Sequence, residues 1–163
     1  MSLLRLKGRV WLTEAAAEAI VELARRAHPR ETGGVLVGVL CRDQPWITAA
    51  VEIPTERSNS SYYELPKGAR LRAVAHLRRS DSRIGYLGEW HSHPDDVGPS
   101  GVDTEATARV ARDPAAAGPR PVLIVARRVG PDYELDARQV RGPRVRPVRL
   151  IAAGKLPAAA DRP

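Results

Sequence analysis

The chain is predicted to fold as an α/β (α+β) domain, a central β-sheet flanked by helices, and three features carry that prediction. Residues Glu14 to Ala27 repeat apolar positions at helical spacing. Two short apolar runs, Val35 to Leu40 and Val122 to Ala126, have the length and composition of buried central strands. Trp46 to Ile53 and Tyr133 to Val140 alternate with the period of two that places one strand face on a core. With 163 residues, 43% hydrophobic and 28% charged, the chain is expected to form one domain with a proper core.

The elements follow in order. Thr13 is placed to cap the first helix, since its side-chain oxygen can accept from a backbone N–H that the helix leaves unpaired. Glu14 in the first turn and Arg25 and Arg26 in the last suit the helix dipole. Ala16, Ile20, Leu23 and Ala27 supply one buried face. His28-Pro29 ends the helix, with His28 as a solvent-facing or capping residue. Glu31 to Gly34 (ETGG) turns into the first central strand. Gly33 and Gly34 fit a place where backbone approaches another element closely. Cys41 ends that strand as a small, partly buried hydrophobe. Trp46 to Ile53 pairs back as a hairpin, with Ile47, Ala49, Val51 and Ile53 on one face.

Pro54 to Tyr63 (PTERSNSSYY) reads as a polar loop of the kind that can rim a cleft. A second helix over about Pro66 to Arg79 sets Leu71, Val74 and Leu77 near one side, with His76 as a structural or surface histidine. Arg83 to Trp90 is a strand carrying Ile84, Tyr86, Leu87 and Trp90, and Pro94 stops it for want of a backbone donor. A helix from Val102 to Arg112, a Pro/Ala/Gly connector and the strand VLIVA come next. After the Gly130-Pro131-Asp132 turn, Tyr133 to Val140 is expected as an edge strand. Val145 to Ile151 adds a short strand that Pro143 and Pro147 confine to an edge. The domain is expected to span 1–151, with 152–163 as a disordered tail.

The informative stretch is Gly88 to Asp103, GEWHSHPDDVGPSGVD. Successive side chains of a strand point to opposite faces, so His91 and His93 share a side and Ser92 is turned away. Ser100-x-x-Asp103 opens a helix. Taken singly, a histidine at a strand end is an ordinary polar residue and Ser-x-x-Asp an ordinary capping box. Within sixteen residues and in this order, two imidazoles from a strand end and a carboxylate from a helix start can converge on one point. Three such ligands leave a fourth position open, as in catalytic zinc sites.

This stretch resembles the signature of the JAMM peptidases, the zinc-dependent members of the MPN (JAB) superfamily: a distant Glu, then His-x-His-Pro, a loop and Ser-x-x-Asp. Glu31, just before the Gly-rich strand ETGGVLVG, matches the distant Glu, and the resemblance runs roughly from Leu12 to Val129. It implies an MPN/JAB fold, a central mixed β-sheet flanked by helices in the cytidine-deaminase-like manner. It implies Zn2+ held by His91, His93 and Asp103, Glu31 as general base and then acid, and Ser100 as donor to the oxyanion. The loop between His93 and Ser100 is one residue shorter than the family's usual spacing, and its Asp-Asp-Val-Gly-Pro run is expected to absorb the difference. Glu89 has the same strand parity but stands as a pairing residue. The implied activity is that of a metallo-isopeptidase or peptidase cutting after the C-terminal glycine of a ubiquitin-like modifier or sulfur carrier. The small form with GEWHSHP looks most like prokaryotic members. Some of those serve anti-phage conjugation systems with nucleotidyltransferase and ubiquitin-activating, -conjugating or ligase-like partners.

Other functions fit less well. A catalytically silent MPN scaffold typically lacks one or more of these ligands, and all are present. A zinc deaminase of related fold needs paired cysteines and His-x-Glu, and the chain has one cysteine. That single cysteine also excludes a disulfide framework. The net charge of +7 suits acidic partners. Its arginines are dispersed, however, lysines occur only at 7, 67 and 155, and no aromatic-interleaved platform appears, so nucleic acid is not the expected partner. A sharp salt dependence of binding would argue the other way. No signal peptide or membrane span is expected, and the cytoplasm is the expected compartment.

Overall fold

A computed structural model describes residues 8–55, 65–66, 68–113 and 120–154. Among these residues seven strands and three helices follow in the order β1 (Arg9–Thr13), α1 (Glu14–Ala27), β2 (Gly33–Cys41), β3 (Gln44–Glu52), α2 (Ala69–Arg78), β4 (Gly85–His93), α3 (Gly101–Arg112), β5 (Val122–Val129), β6 (Asp132–Arg141) and β7 (Arg144–Ala153). The strands form one mixed sheet in the order β1-β3-β2-β4-β5-β6-β7, which closes on itself where β7 meets β1. Neighbours are antiparallel except β1 with β3, β1 with β7, and β4 with β5.

Most elements form where local chemistry puts them. Thr13 caps α1 by accepting from Ala16 N, Arg25 and Arg26 occupy the last turn, and His28 is the C-cap. Ala16, Ile20 and Ala24 press on one sheet face with Val10, Leu36, Ile47, Trp90 and Ile124. The other face holds Val35, Val37 and Tyr86 under Ala73 of α2, with Val74, Leu77 and Val110 packed alongside. Gly34 is the close approach its sequence suggested, because a Cβ there would lie 1.7 Å from Val51 O.

Five points depart from the sequence reading. Tyr133 to Val140 is not an edge strand: β6 pairs with β5 and β7. Nor is β7 an edge, since β6 holds Arg144–Val148 and β1 holds Arg149–Ala153. Pro147 sits in the half paired to β6 alone, where its missing N–H interrupts no second ladder. Third, β1 itself has no counterpart in the periodicity. Fourth, β3 does not present Ile47, Ala49, Val51 and Ile53 on one face. The register slips opposite Val37/Gly38, so Thr48 is an extra residue and the parity reverses there. Ile47 therefore packs with α1, and Ala49, Val51 and Ile53 with α2. Fifth, α2 starts at Ala69 and leaves Leu71 72% exposed, burying Ala69 and Ala73 instead. Strand β7 runs to Ala153, two residues past the expected domain end. Residues 155–163 of the expected tail, and 56–63 of the expected polar loop, lie outside the described residues.

Candidate metal centre

Strand β4 delivers the two histidines. Its register with β2 slips between Leu36 and Val37, leaving Leu87 as the extra residue before Gly88. Gly88 adopts φ +155°, and a Cβ there would meet Val122 O at 1.9 Å, so glycine is required for β4 to lie against β5. Beyond this bulge Trp90 is fully buried under α1 while His91 and His93 face the opposite side. Their Nε2 atoms stand 3.2 Å apart. Pro94 follows at once and β4 stops.

Helix α3 brings the carboxylate. Ser100 is its N-cap, with Oγ accepting from Asp103 N at 3.1 Å, and Asp103 Oδ2 accepts from Ser100 N at 2.7 Å. This reciprocal pair fixes the Asp103 side chain, whose Oδ1 lies 3.3 Å from His91 Nε2 and whose Oδ2 lies 3.5 Å from His93 Nε2. His93 Nδ1 is 2.6 Å from Val97 O. A carbonyl only accepts, so Nδ1 is the donor here and Nε2 is the nitrogen that faces the cluster. The loop with the shortened spacing thus brings Ser100 and Asp103 to the histidines.

These donors suit a metal ion. The three ligand atoms lie within 4.8 Å of one another. Zinc ligands at about 2.0–2.1 Å in a tetrahedron stand about 3.3–3.4 Å apart; the two imidazole Nε2 atoms are 3.2 Å apart, and a different Asp103 oxygen lies near each of them, 3.3 Å from His91 and 3.5 Å from His93. The side chains are 12%, 12% and 17% exposed, open on one side. Burial works to raise the Asp103 carboxyl, but hydrogen bonding and charge from His91, with the Ser100 donors, hold it well below the usual carboxylate range. It is thus ionised whenever a cation arrives.

Glu31 stands beside this cluster at the entry to β2. It is 7% exposed, and burial pushes its carboxyl up to about 7; the charge of His93 lowers it and that of Asp103 raises it. What holds Glu31 there is Ser92, the residue turned away from the histidines. Thr32 N donates to Ser92 Oγ at 3.0 Å and Ser92 N to Thr32 O at 2.8 Å, extending the β2–β4 ladder past Gly33. Thr32 Oγ1 is tied in turn to Glu52 at 2.8 Å. Sequence reasoning gave Ser92 no role, although its position between two same-face histidines already put it against the neighbouring strand.

Glu31, Ser100 and the three donors line one cleft of about 700 Å³, with Arg70, Glu89, Val102 and Val110 among its walls. Glu89 is a pairing residue, accepting from Arg70 Nε at 2.7 Å and Tyr86 OH at 3.2 Å. Cys41 and His76 lie away from it. No helix among the described residues is long and apolar enough to cross a membrane.

Residues 13–141 match the model of a family described as prokaryotic homologs of the JAB domain. The chain belongs to that family. Among its relatives is a probable metalloprotease, y4qB, of Sinorhizobium fredii (strain NBRC 101917 / NGR234). It is 30% identical over 127 residues, 71% of this chain and 74% of that protein. A CD-NTase/cGAS isopeptidase of Pseudomonas aeruginosa (strain BWHPSA011 / Pa011) is 33% identical over 101 residues, 60% of this chain and 63% of the relative. The chain spans less than two thirds of the length of that relative and of a second one of the same name from Enterobacter hormaechei. The solution structure of protein DSY2949 from Desulfitobacterium hafniense superposes with a TM-score of 0.60 over 90% of this chain and 94% of that one. At 21% identity that is a likeness of fold. A JAB domain with a donor set able to take a metal, and relatives named metalloprotease and isopeptidase, is a hydrolase of the JAMM type.

Proposed function

We propose that the chain is a zinc-dependent isopeptidase that cuts after the C-terminal glycine of a ubiquitin-like or sulfur-carrier protein. The observation that carries this reading is the convergence of His91, His93 and Asp103 beside the buried Glu31 in one cleft. When bound, zinc would supply a water acidified toward about pH 7 and a Lewis acid for the scissile carbonyl.

The chain's own residues do the rest. Glu31 takes the proton of the attacking water and gives it to the nitrogen as the C–N bond breaks, releasing carboxylate and amine. Ser100 already uses its oxygen as acceptor from Asp103 N. Its O–H, which helps hold the Asp103 carboxyl down in the metal-free chain, is the group that turns to donate to the carbonyl oxygen as negative charge develops. Asp103 and the two imidazoles hold the ion.

The relatives named CD-NTase/cGAS isopeptidases suggest the leaving amine: a lysine or other amine on a CD-NTase-like nucleotidyltransferase in the cytoplasm. Ubiquitin-activating and -conjugating-like proteins would make the bond that this enzyme breaks.

The test is metal content by mass spectrometry on protein purified without chelator, wild type beside Asp103→Ala, with cleavage of a fluorogenic amide at the C-terminal glycine of a ubiquitin-like protein. About one zinc per wild-type chain, clearly less in Asp103→Ala, and turnover lost in Glu31→Gln with zinc kept, is the expected result. No zinc in the wild type after reconstitution would leave a silent MPN scaffold as the better reading.

A further inference from the structure

We infer that Arg127 is a positioning residue of this centre: it clamps the loop between His93 and Ser100 to the sheet and thereby sets the His93 ring. The inference rests on the metal reading above. Arg127 lies on β5 directly across the parallel ladder from His93. Its guanidinium gives all three nitrogens to carboxylates. Nε meets Asp136 at 2.6 Å and Nη2 meets Glu134, both on β6, while Nη1 meets Asp96 in the loop. Asp96 adjoins Val97, whose carbonyl accepts from His93 Nδ1. Backbone contacts bracket the same turn: Arg128 N donates to Asp95 O at 3.3 Å and Val97 N to Asp95 O at 2.8 Å. At Gly98 a Cβ would stand 3.3 Å from Asp136 Oδ2, so the loop runs close against the clamp.

The contacts form one path, from β6 through Arg127 and Asp96 to the Val97 carbonyl and the His93 ring. The far end of that path decides which imidazole nitrogen is protonated and where Nε2 points. Partners of this kind, standing behind a ligand, set its orientation and basicity. Charge sharpens the effect. With Arg127 present, Asp96 is drawn to the sheet. Without it, Asp96 faces Glu134 and Asp136 as a third carboxylate, and attraction turns into repulsion. A clamp that only stabilised the β5–β6 hairpin would change folding stability and leave the affinity of folded protein for metal untouched.

The experiment measures zinc affinity of the full chain by chelator competition for wild type, Arg127→Met, Asp96→Ala and the double variant. Circular dichroism reports folding, and nitrogen-15 shifts of the metal-free protein report the His93 tautomer. Arg127→Met is expected to weaken zinc about 10- to 100-fold while folded, with the His93 Nδ1–H preference lost. Asp96→Ala cuts the tie without leaving a repelled carboxylate, so its loss is smaller, and the double variant should match Asp96→Ala rather than sum the two. An Arg127→Met affinity within twofold of wild type, or losses that simply add, overturns the inference while the metal reading stands. If Arg127→Met does not fold, Asp96→Ala decides: zinc affinity and tautomer equal to wild type overturn it. A wild type that takes up no zinc removes both readings.

Discussion

Replacing Glu31 by Gln in the metal-free protein should make it more stable, and increasingly so as the pH rises. Glu31 is almost wholly buried, and burial pushes its carboxyl from 4.5 up to about 7. The folded chain therefore holds this proton more tightly than the unfolded chain does. Its stability is intact below about pH 4.5 and is lost as the pH rises through 7, where the buried group must ionise. At roughly 1.4 kcal/mol for each tenfold change in proton affinity, the cost reaches about 3 kcal/mol above that range. The neutral amide of the variant carries no such charge. The gap in melting temperature between Glu31→Gln and wild type should then grow from near zero at pH 4 to about 6–12 °C at pH 8, for a chain of this size. Thermal unfolding in chelator across that range is the assay. Added zinc should shrink the gap, because a cation beside the carboxylate favours its ionised form. A gap that does not change between pH 4 and pH 8 would refute the argument that desolvation lifts the Glu31 carboxyl toward neutrality.

Two further substitutions separate chemistry from support. Ser100→Ala should lower turnover about 10²- to 10³-fold with zinc retained, because Ser100 N still donates to Asp103 Oδ2; lost N-capping should cost a further ~1 kcal/mol of stability in denaturant titration. Ser92→Ala strips Thr32 N of its buried acceptor, which should cost about 1–3 kcal/mol and slow turnover without loss of metal content; unchanged rate and stability would show that Glu31 needs no such tie.

The sequence was most legible where the determinants are local. Thr13, the Ser100/Asp103 box and Pro94 set element ends through contacts within a few residues, and the histidine parity follows from strand geometry alone. Closure of the sheet was not legible, because β1 and β7 are held by pairing across most of the chain, and Arg9 to Thr13 is too short to show a period. Bulges defeated parity in the same way. Thr48 and Leu87 each add a residue to one strand only, and nothing in alternation marks which residue is extra. Leu71 failed for a different reason: α2 turns Ala69 and Ala73 to the core with Val74 and Leu77 alongside, and these leave Leu71 on the exposed side. At the site, the residues that converge could be read but their supports could not. Arg127 is one of many arginines, and its three carboxylates come from two separate elements.

The two readings of Ser-x-x-Asp, helix cap and site, are one arrangement rather than rivals. A cap is needed because α3 begins with backbone N–H groups that lack partners. Satisfying them with Ser100 Oγ and Asp103 Oδ2 places both side chains at a fixed helix end instead of on a free loop. An acceptor role for Oγ leaves its proton to give away. Binding of Oδ2 by a backbone donor orients the carboxylate so that its two oxygens face one imidazole each. The helix terminus thus supplies the preorganisation that a loop carboxylate would lack. The loop before it can then be one residue shorter without moving the donors apart, because the helix start and the clamp at Arg127, rather than loop length, fix where Asp103 and His93 stand.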